Sequence, residues 1–172
     1  MDPNVSDPSI WQLEPKCLRN EELTPSELAV AKAALNAAHP IERTIACEVL
    51  LRWPATDPET ISRAVGALEG VCREAMTQPA QMDPRIALAL GTGIPTKKIF
   101  GSTVIREFIY AAAKNTHKAC RMNAIVALCN LAAAGDSEAE RLIRTALDDP
   151  EPYVQTNAAN CLRRLRQQKI RE

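Results

Sequence analysis

The sequence contains few aromatic residues and no excess of charge of either sign. Phe, Trp and Tyr make up 3% of its 172 residues, and the 21 Lys and Arg residues are balanced by 21 Asp and Glu residues. Dedicated nucleic-acid-binding domains usually carry a basic excess, and single-strand binders present aromatic rings on which bases stack. We therefore do not expect nucleic acid to be the main partner.

Long apolar runs and paired cysteine motifs are also missing. No stretch approaches the ~18 apolar residues that span a bilayer, and residues 1–20 have neither the basic start nor the apolar run of a secretory signal. A cytoplasmic protein with no membrane contact is therefore expected. The cysteines form no C-x-x-C pair and are predicted to be reduced core residues, because cysteine packs as a small hydrophobe. They are Cys17, Cys47, Cys72, Cys120, Cys129 and Cys161.

Little in the sequence points to catalysis. The only histidines, His39 and His117, each lie in a predicted turn between helices, and no Ser/His/acid or Cys/His arrangement accompanies them. The loop over residues 91–98 contains Gly and Lys but lacks the GxxxxGK[ST] spacing of a phosphate-binding loop. We therefore predict no catalytic residue, no metal site and no cofactor. A long connection in a regular scaffold nevertheless remains a place where function can lie.

What the sequence does contain is an internal repeat with an offset of 34 residues. Residues 149–165 read DPEPYVQTNAANCLRRL and residues 115–131 read NTHKACRMNAIVALCNL. In both segments apolar residues recur at the spacing of one helix face, and residues 43–53 repeat the grid at an offset of 78. A helix repeated in this way predicts stacked structural units. The predicted core positions are Val154, Ala158, Cys161, Leu162 and Leu165, and Cys120, Ala124, Ala127, Leu128 and Leu131.

These segments resemble the second helix of a HEAT repeat, in particular the short HEAT-like repeats also found in phycobiliprotein lyases. The shared pattern is a polar or acidic cap, Val-Arg, two Ala-type positions and Leu-x-x-Leu. Arg121 matches the arginine of this pattern, whereas Gln155 replaces it in the last copy. The resemblance is strong over about 99–166 and moderate over 24–53. It implies an all-α fold: a right-handed α-α superhelix, or HEAT-like solenoid, of about four helix pairs.

Two regions are predicted along the chain. Residues 1–22 are expected to form an irregular N-terminal arm, and residues 23–172 a HEAT-like repeat domain with an irregular second unit. Helices are expected to begin where a capping residue precedes proline or a polar turn, as in Thr24-Pro25-Ser26-Glu27. Trp53 occupies a core Leu position of its copy. The predicted helices run over about 25–38, 41–53, 57–77, 85–90, 102–114, 116–133, 137–147 and 151–168.

The second helices of HEAT-like arrays line the concave face, and here their polar side beside the core stripe is rich in asparagine. Asparagine is a poor helix former, so its recurrence suggests either a structural hydrogen-bonded ladder or contact with a partner's polar groups. The basic run from Arg163 to Arg171 is likewise either a solvated end or a surface for an acidic partner. The predicted partner-binding residues are Glu48, Arg52, Asn123, Asn130, Asn157, Asn160 and Arg164.

The predicted function is therefore that of a non-enzymatic protein-binding module, because each repeat contacts only its neighbours and leaves a long surface free. Such a surface suits another protein or a peptide, in the role of an adaptor, a chaperone or an immunity-type inhibitor. The alternative is an enzyme or enzyme subunit of the HEAT-like class, resembling either a bilin lyase or a DNA-base glycosylase. Histidine and aromatic residues are too few to line a tetrapyrrole pocket, and the zero net charge opposes a DNA-binding groove.

Overall fold

The computed structural model describes residues 9–19 and 21–169, and this part of the chain contains helices and no strand. The predicted all-α class is confirmed. Two short 3₁₀ helices, at Pro79–Gln81 and Ala146–Asp148, and one π-helical turn, at Ala89–Gly93, link several of the α-helices. The α-helices are α1 Ile10–Leu18, α2 Pro25–Ala34, α3 Pro40–Arg52, α4 Pro58–Thr77, α5 Pro84–Leu88, α6 Thr96–Ile99, α7 Thr103–Ala113, α8 Lys118–Ala133, α9 Ser137–Thr145 and α10 Pro152–Lys169.

Local capping explains where several helices begin. At α2 the Thr24 hydroxyl accepts from the Glu27 amide at 3.3 Å, and the Glu27 carboxylate accepts from the Thr24 amide at 2.8 Å. This reciprocal pair is a capping box, and Pro25 supplies the fixed φ of the first turn. Ser102 and Asp136 cap α7 and α9 more simply, each accepting one backbone amide through a side-chain oxygen.

The N-terminal arm was predicted to be irregular, and that prediction is wrong for its second half. Ile10–Leu18 is an α-helix, and Ile10, Leu13 and Cys17 are buried. Their spacing of three and four residues places them on one helix face, which packs against α2 and α3. The arm's remaining calls on residues 1–8 and 20 lie outside the described residues.

The chain forms two compact units, of which the first ends at Leu68. This division falls within α4. In the first unit α3 packs against α1 and α2, and its residues from Thr44 to Leu51 are all buried. The Cys47 thiol reaches the Ala64 carbonyl at 3.1 Å, which ties α3 to the start of α4. Trp53, predicted to be core, ends α3 and is only partly buried.

The second unit begins at Glu69 and is built around α8, which contacts α5, α7, α9 and α10 and the π-helical turn at Ala89–Gly93. Helix α10 packs along α8, and α9 contacts α7, so each helix of the pair α9–α10 meets its counterpart in α7–α8. The apolar stripes predicted for α8 and α10 are confirmed as core, although Cys161 is only partly buried. Phe108, Leu128 and Ile143 fill the interior of this unit.

Several predicted helix bounds need correction. Helix α2 ends at Ala34, before the predicted residue 38, and α9 gives way after Thr145 to a 3₁₀ turn. The predicted loop over residues 91–98 is mostly helical: it contains the end of the π-helical turn at Gly93 and the one-turn helix α6 from Thr96, with Ile94 and Pro95 between them. After α8 the chain turns at Gly135, whose φ of 94° is a left-handed conformation that L side chains rarely adopt. The Asp136 amide then donates to the Leu131 carbonyl at 3.1 Å, which completes a helix-ending Schellman motif.

Candidate partner-binding face

One side-chain contact recurs at equivalent positions in three helices. Arg43, Arg121 and Gln155 each donate to the backbone carbonyl six residues earlier, at 2.8, 2.9 and 2.6 Å. The acceptors are Ala37, Asn115 and Asp149. The glutamine that departs from the sequence pattern therefore makes the same bond to the preceding turn as the two arginines.

Arg121 also binds the turn before α10. Its guanidinium forms two parallel bonds with the Asp149 carboxylate, at 2.7 Å from Nε and 3.0 Å from Nη2. The side chains are 14% and 9% exposed, so the pair is largely withdrawn from water. The guanidinium beside it holds the pKa of Asp149 below its usual range. This pair fixes the turn before α10 to the start of α8.

Two of the predicted partner-binding asparagines bond within the second unit. The Asn123 amide donates to the Pro84 carbonyl at 2.9 Å, and the Asn130 amide donates to the Gly91 carbonyl at 3.0 Å. Both are partly buried. The sequence left open whether these asparagines form a structural ladder or contact a partner. These two bonds are structural, although each joins an asparagine to a backbone carbonyl and not to another asparagine.

The close approach of Gly91 explains how Asn130 reaches its acceptor. Gly91 is buried against α8, and a Cβ atom there would lie 3.0 Å from the Val126 Cβ and 3.1 Å from the Ala127 backbone nitrogen. Only glycine allows the π-helical turn to lie this close to α8 without a shift. This contact covers part of the α8 face that the sequence suggested was open.

The equivalent face of α10 is more accessible. Asn157 occupies the position of Asn123 one repeat later and is partly exposed, and no hydrogen bond ties its side chain to the described part of the chain. Asn160 and Arg164 are exposed. Arg164 donates to the Asn130 side-chain oxygen at 2.9 Å, so the polar faces of α8 and α10 join at this bond. We call Asn157, Asn160 and Arg164 the α10 polar face.

The two predicted residues of the first unit have different surroundings. Glu48 is 6% exposed, and burial raises the pKa of its carboxyl group, against the opposing effect of Arg52. Little of the Glu48 side chain is therefore available to a partner. Arg52 donates to the Cys17 carbonyl at 3.2 Å and lines a groove of about 300 Å³ together with Trp53.

Two thiols lie together beneath the α10 polar face. The Cys129 thiol is 3.9 Å from the Cys161 carbonyl, and the Cys161 thiol is 3.6 Å from the carbonyl of Ile125 on α8. Contact with Cys161, together with the nearby positive charge of Arg164, lowers the pKa of Cys129 to about 7. The same contact and burial raise the pKa of Cys161.

We expect an ultraviolet titration of thiolate absorbance to show one cysteine ionising with a midpoint near pH 7, below the ordinary value of about 8.5. Cys129→Ser should remove this step. Cys47→Ser is the matched control, because burial raises the pKa of that thiol to about 12 and its loss should leave the step unchanged. A titration with no ionisation below about pH 8 would contradict the assignment.

Each of the two histidines caps a helix, His39 in the first unit and His117 in the second. The Nδ1 of His39 accepts from the Ile41 amide at 3.2 Å, and that of His117 accepts from the Ala119 amide at 3.3 Å, so each caps its own helix. In the part of the chain that the structure describes, no group of three or more His, Cys, Asp or Glu residues could hold a metal ion. None of the helices described between residues 9 and 169 has the length and apolar character to cross a bilayer.

No protein-family model, curated protein or solved structure matches the chain.

Sequence reasoning missed the partners that decide which asparagines are structural. Pro84 and Gly91 accept through backbone carbonyls, and a carbonyl acceptor has no signature in a sequence. It also missed the Cys129–Cys161 pair. The one signal for that pair in the sequence is their separation. Cys129 and Cys161 are 32 residues apart, close to the repeat offset of 34, which places them at similar positions along neighbouring helices.

Proposed function

We propose that the chain is a non-enzymatic binding module for another protein or a peptide, built as a right-handed HEAT-like solenoid. The repeated side-chain bond at Arg43, Arg121 and Gln155 supports a repeating helix pair. The packing of α9–α10 against α7–α8, helix by matching helix, supports stacking of those pairs. The free cysteines are in keeping with a cytoplasmic location.

The observation that carries the binding proposal is the contrast between Asn123 and Asn157. Both occupy the same repeat position, but the first is bonded to α5 whereas the second has no side-chain hydrogen bond within the described chain. An asparagine weakens a helix interior unless its amide is used. The α10 polar face therefore offers the amide group of Asn157, which has no bond in the described chain, beside the exposed guanidinium of Arg164. We propose that this face contacts the partner in the manner of an adaptor, a chaperone or an inhibitor.

The test is a paired substitution on this face. Asn157→Ala with Arg164→Ala is expected to leave the thermal midpoint within a few degrees, because exposed changes usually cost under ~0.5 kcal/mol. Affinity for the partner should fall at least tenfold, about 1.4 kcal/mol. Proteins captured from native lysate by the parent chain and lost from the double variant would identify the partner, whose affinity is then measured with purified material.

The matched control is Asn123→Ala, at the bonded position of α8; Asn130 is left in place because its side-chain oxygen accepts from Arg164. The control loses one hydrogen bond to a backbone carbonyl, at about 1 kcal/mol of unfolding free energy. The folded control should keep its partner affinity. Unchanged affinity in the α10 variant, or turnover of a bilin or a damaged DNA base by the parent chain, would contradict the proposal.

A further inference from the structure

A second surface of α10 is a groove that the α10 polar face does not include. Its floor is apolar and consists of Leu147, Ala159 and Leu162, and Arg163, Arg166 and Gln167 line its other side. The groove has a volume of about 390 Å³, and Leu147 is 40% exposed in it. Contact with an apolar group would remove this leucine from water, at roughly 25 cal/mol per Å² of surface buried.

The cations beside this floor are not neutralised within the described chain. Arg163 donates to the Asn160 side-chain oxygen at 3.0 Å, and Arg166 has neither a hydrogen bond nor an ion pair there. Helix α10 carries no acidic residue at all. The neighbouring helix α9 differs, since Arg141 and Arg144 both pair with glutamates of their own helix at 2.6 Å.

We propose that this groove binds an acidic segment of a partner protein, with apolar side chains against Leu147 and Leu162 and carboxylates on Arg163 and Arg166. The inference rests on the proposed function only in taking the partner to be a protein. Charge complementarity fixes the sign of the ligand, because two guanidinium groups border the groove and none of the described residues lines it with a carboxylate. Arginine also matches carboxylate geometry with two parallel bonds.

A nucleic acid is the competing ligand for a cationic surface, and the composition of the groove argues against it. Phosphate binding needs several cations in line, and stacking needs aromatic rings. Here three of the lining residues are aliphatic, and none of those that the structure describes is aromatic. An acidic segment with apolar side chains uses both the floor and the rim.

The probe is a fluorescent synthetic peptide of about four helical turns with leucines one turn apart and glutamates on both sides. Binding to the full chain is measured by fluorescence anisotropy, with a Kd expected in the range of about 1–100 μM. A peptide with serine in place of leucine and one with lysine in place of glutamate should each bind at least tenfold more weakly. Affinity should also fall as salt rises to about 0.5 M, since surface ion pairs are screened.

The variant Arg163→Gln with Arg166→Gln should weaken the peptide at least tenfold. Arg141→Gln with Arg144→Gln removes the same charge from α9, where the guanidinium groups are already paired, and should leave the affinity within twofold. Leu147→Ser should weaken binding of the leucine peptide several-fold and leave the serine peptide unchanged. Circular dichroism melts of all variants confirm that they are folded.

Three results would overturn the inference: equal loss in both arginine variants, no loss in either, or displacement of the peptide by a thymidine oligonucleotide at equal charge concentration. The probes are synthetic, and the tested arginines are not those of the α10 polar face. Failure here therefore leaves the test with Asn157 and Arg164 intact, and failure there leaves the groove measurement interpretable.

Discussion

Replacing Arg121 with alanine is expected to lower the free energy of unfolding by about 3–5 kcal/mol. The substitution removes both bonds to Asp149 and the bonds to the carbonyls of Asn115 and Thr116. The Asp149 side chain is 9% exposed, and within the described chain its charge would keep only the hydrogen bond that it accepts from the Glu151 amide. Urea denaturation gives the change directly, and the thermal midpoint should fall by roughly 10 °C, at about 2–4 °C per kcal/mol for a chain of this size.

The matched control is Arg144→Ala on α9. That arginine also pairs with a carboxylate at 2.6 Å, but the two side chains are 57% and 29% exposed. An exposed pair contributes about 0–1 kcal/mol, so the control should melt within a few degrees of the parent. Equal destabilisation by the two variants would show that burial of the Arg121–Asp149 pair does not matter.

Arg121→Gln separates the ion pair from the repeated backbone bond. Glutamine at the equivalent position, Gln155, reaches the carbonyl six residues earlier. Arg121→Gln should therefore be about 1 kcal/mol more stable than Arg121→Ala, the usual contribution of one hydrogen bond. If the two variants are equally unstable, the recurring contact has no energetic role and the repeat argument loses its structural support.

Acid should reduce the advantage of the parent over the variants. The folded pKa of Asp149 lies below the usual value. At acidic pH the unfolded chain therefore binds more protons than the folded one, and the free energy of unfolding decreases as the pH is lowered. The contribution is complete above the unfolded pKa, about 3.9, and is lost as pH falls through the lowered folded pKa. The gap between parent and Arg121→Ala should narrow in that range.

The helices that sequence reasoning placed best are those in which one physical rule acts alone. In α8 and α10 the apolar positions recur every three or four residues, and Ala124, Leu128, Ala158 and Leu162 are all buried as that spacing predicts. Thr24 with Glu27 is a complete capping signal within four residues. Such local patterns need no knowledge of the neighbouring helices.

The features that escaped depend on contacts between distant segments. Arg121 and Asp149 are 28 residues apart, and nothing in either neighbourhood marks them as a pair. Asn130 bonds to Gly91, 39 residues earlier, because the irregular unit before α7 interrupts the 34-residue offset. The repeat offset therefore predicts which side of α8 is polar. It does not predict that the π-helical turn covers part of that side.

Gly91→Ala tests that cover directly and should cost about 1–3 kcal/mol of stability, the usual range for overpacking. The new methyl group would lie 3.0 Å from the Val126 Cβ and 3.1 Å from the Ala127 nitrogen. The backbone nitrogen belongs to the interior of α8 and cannot turn aside, so the π-helical turn must move outward. That movement lengthens the bond from Asn130 to the Gly91 carbonyl, now 3.0 Å.

Gly70→Ala is the matched control and should have the opposite sign. Gly70 lies in α4 of the same unit, and a Cβ there would meet nothing within 4 Å. Alanine is the better helix former by about 1 kcal/mol, so this variant should be more stable than the parent. Adding Asn130→Ala to Gly91→Ala should then cost less than the sum of the two changes, because both act on one contact. Full additivity, or a stabilised Gly91→Ala, would show that the turn does not rest on α8, and Asn130 would return to the surface open to a partner.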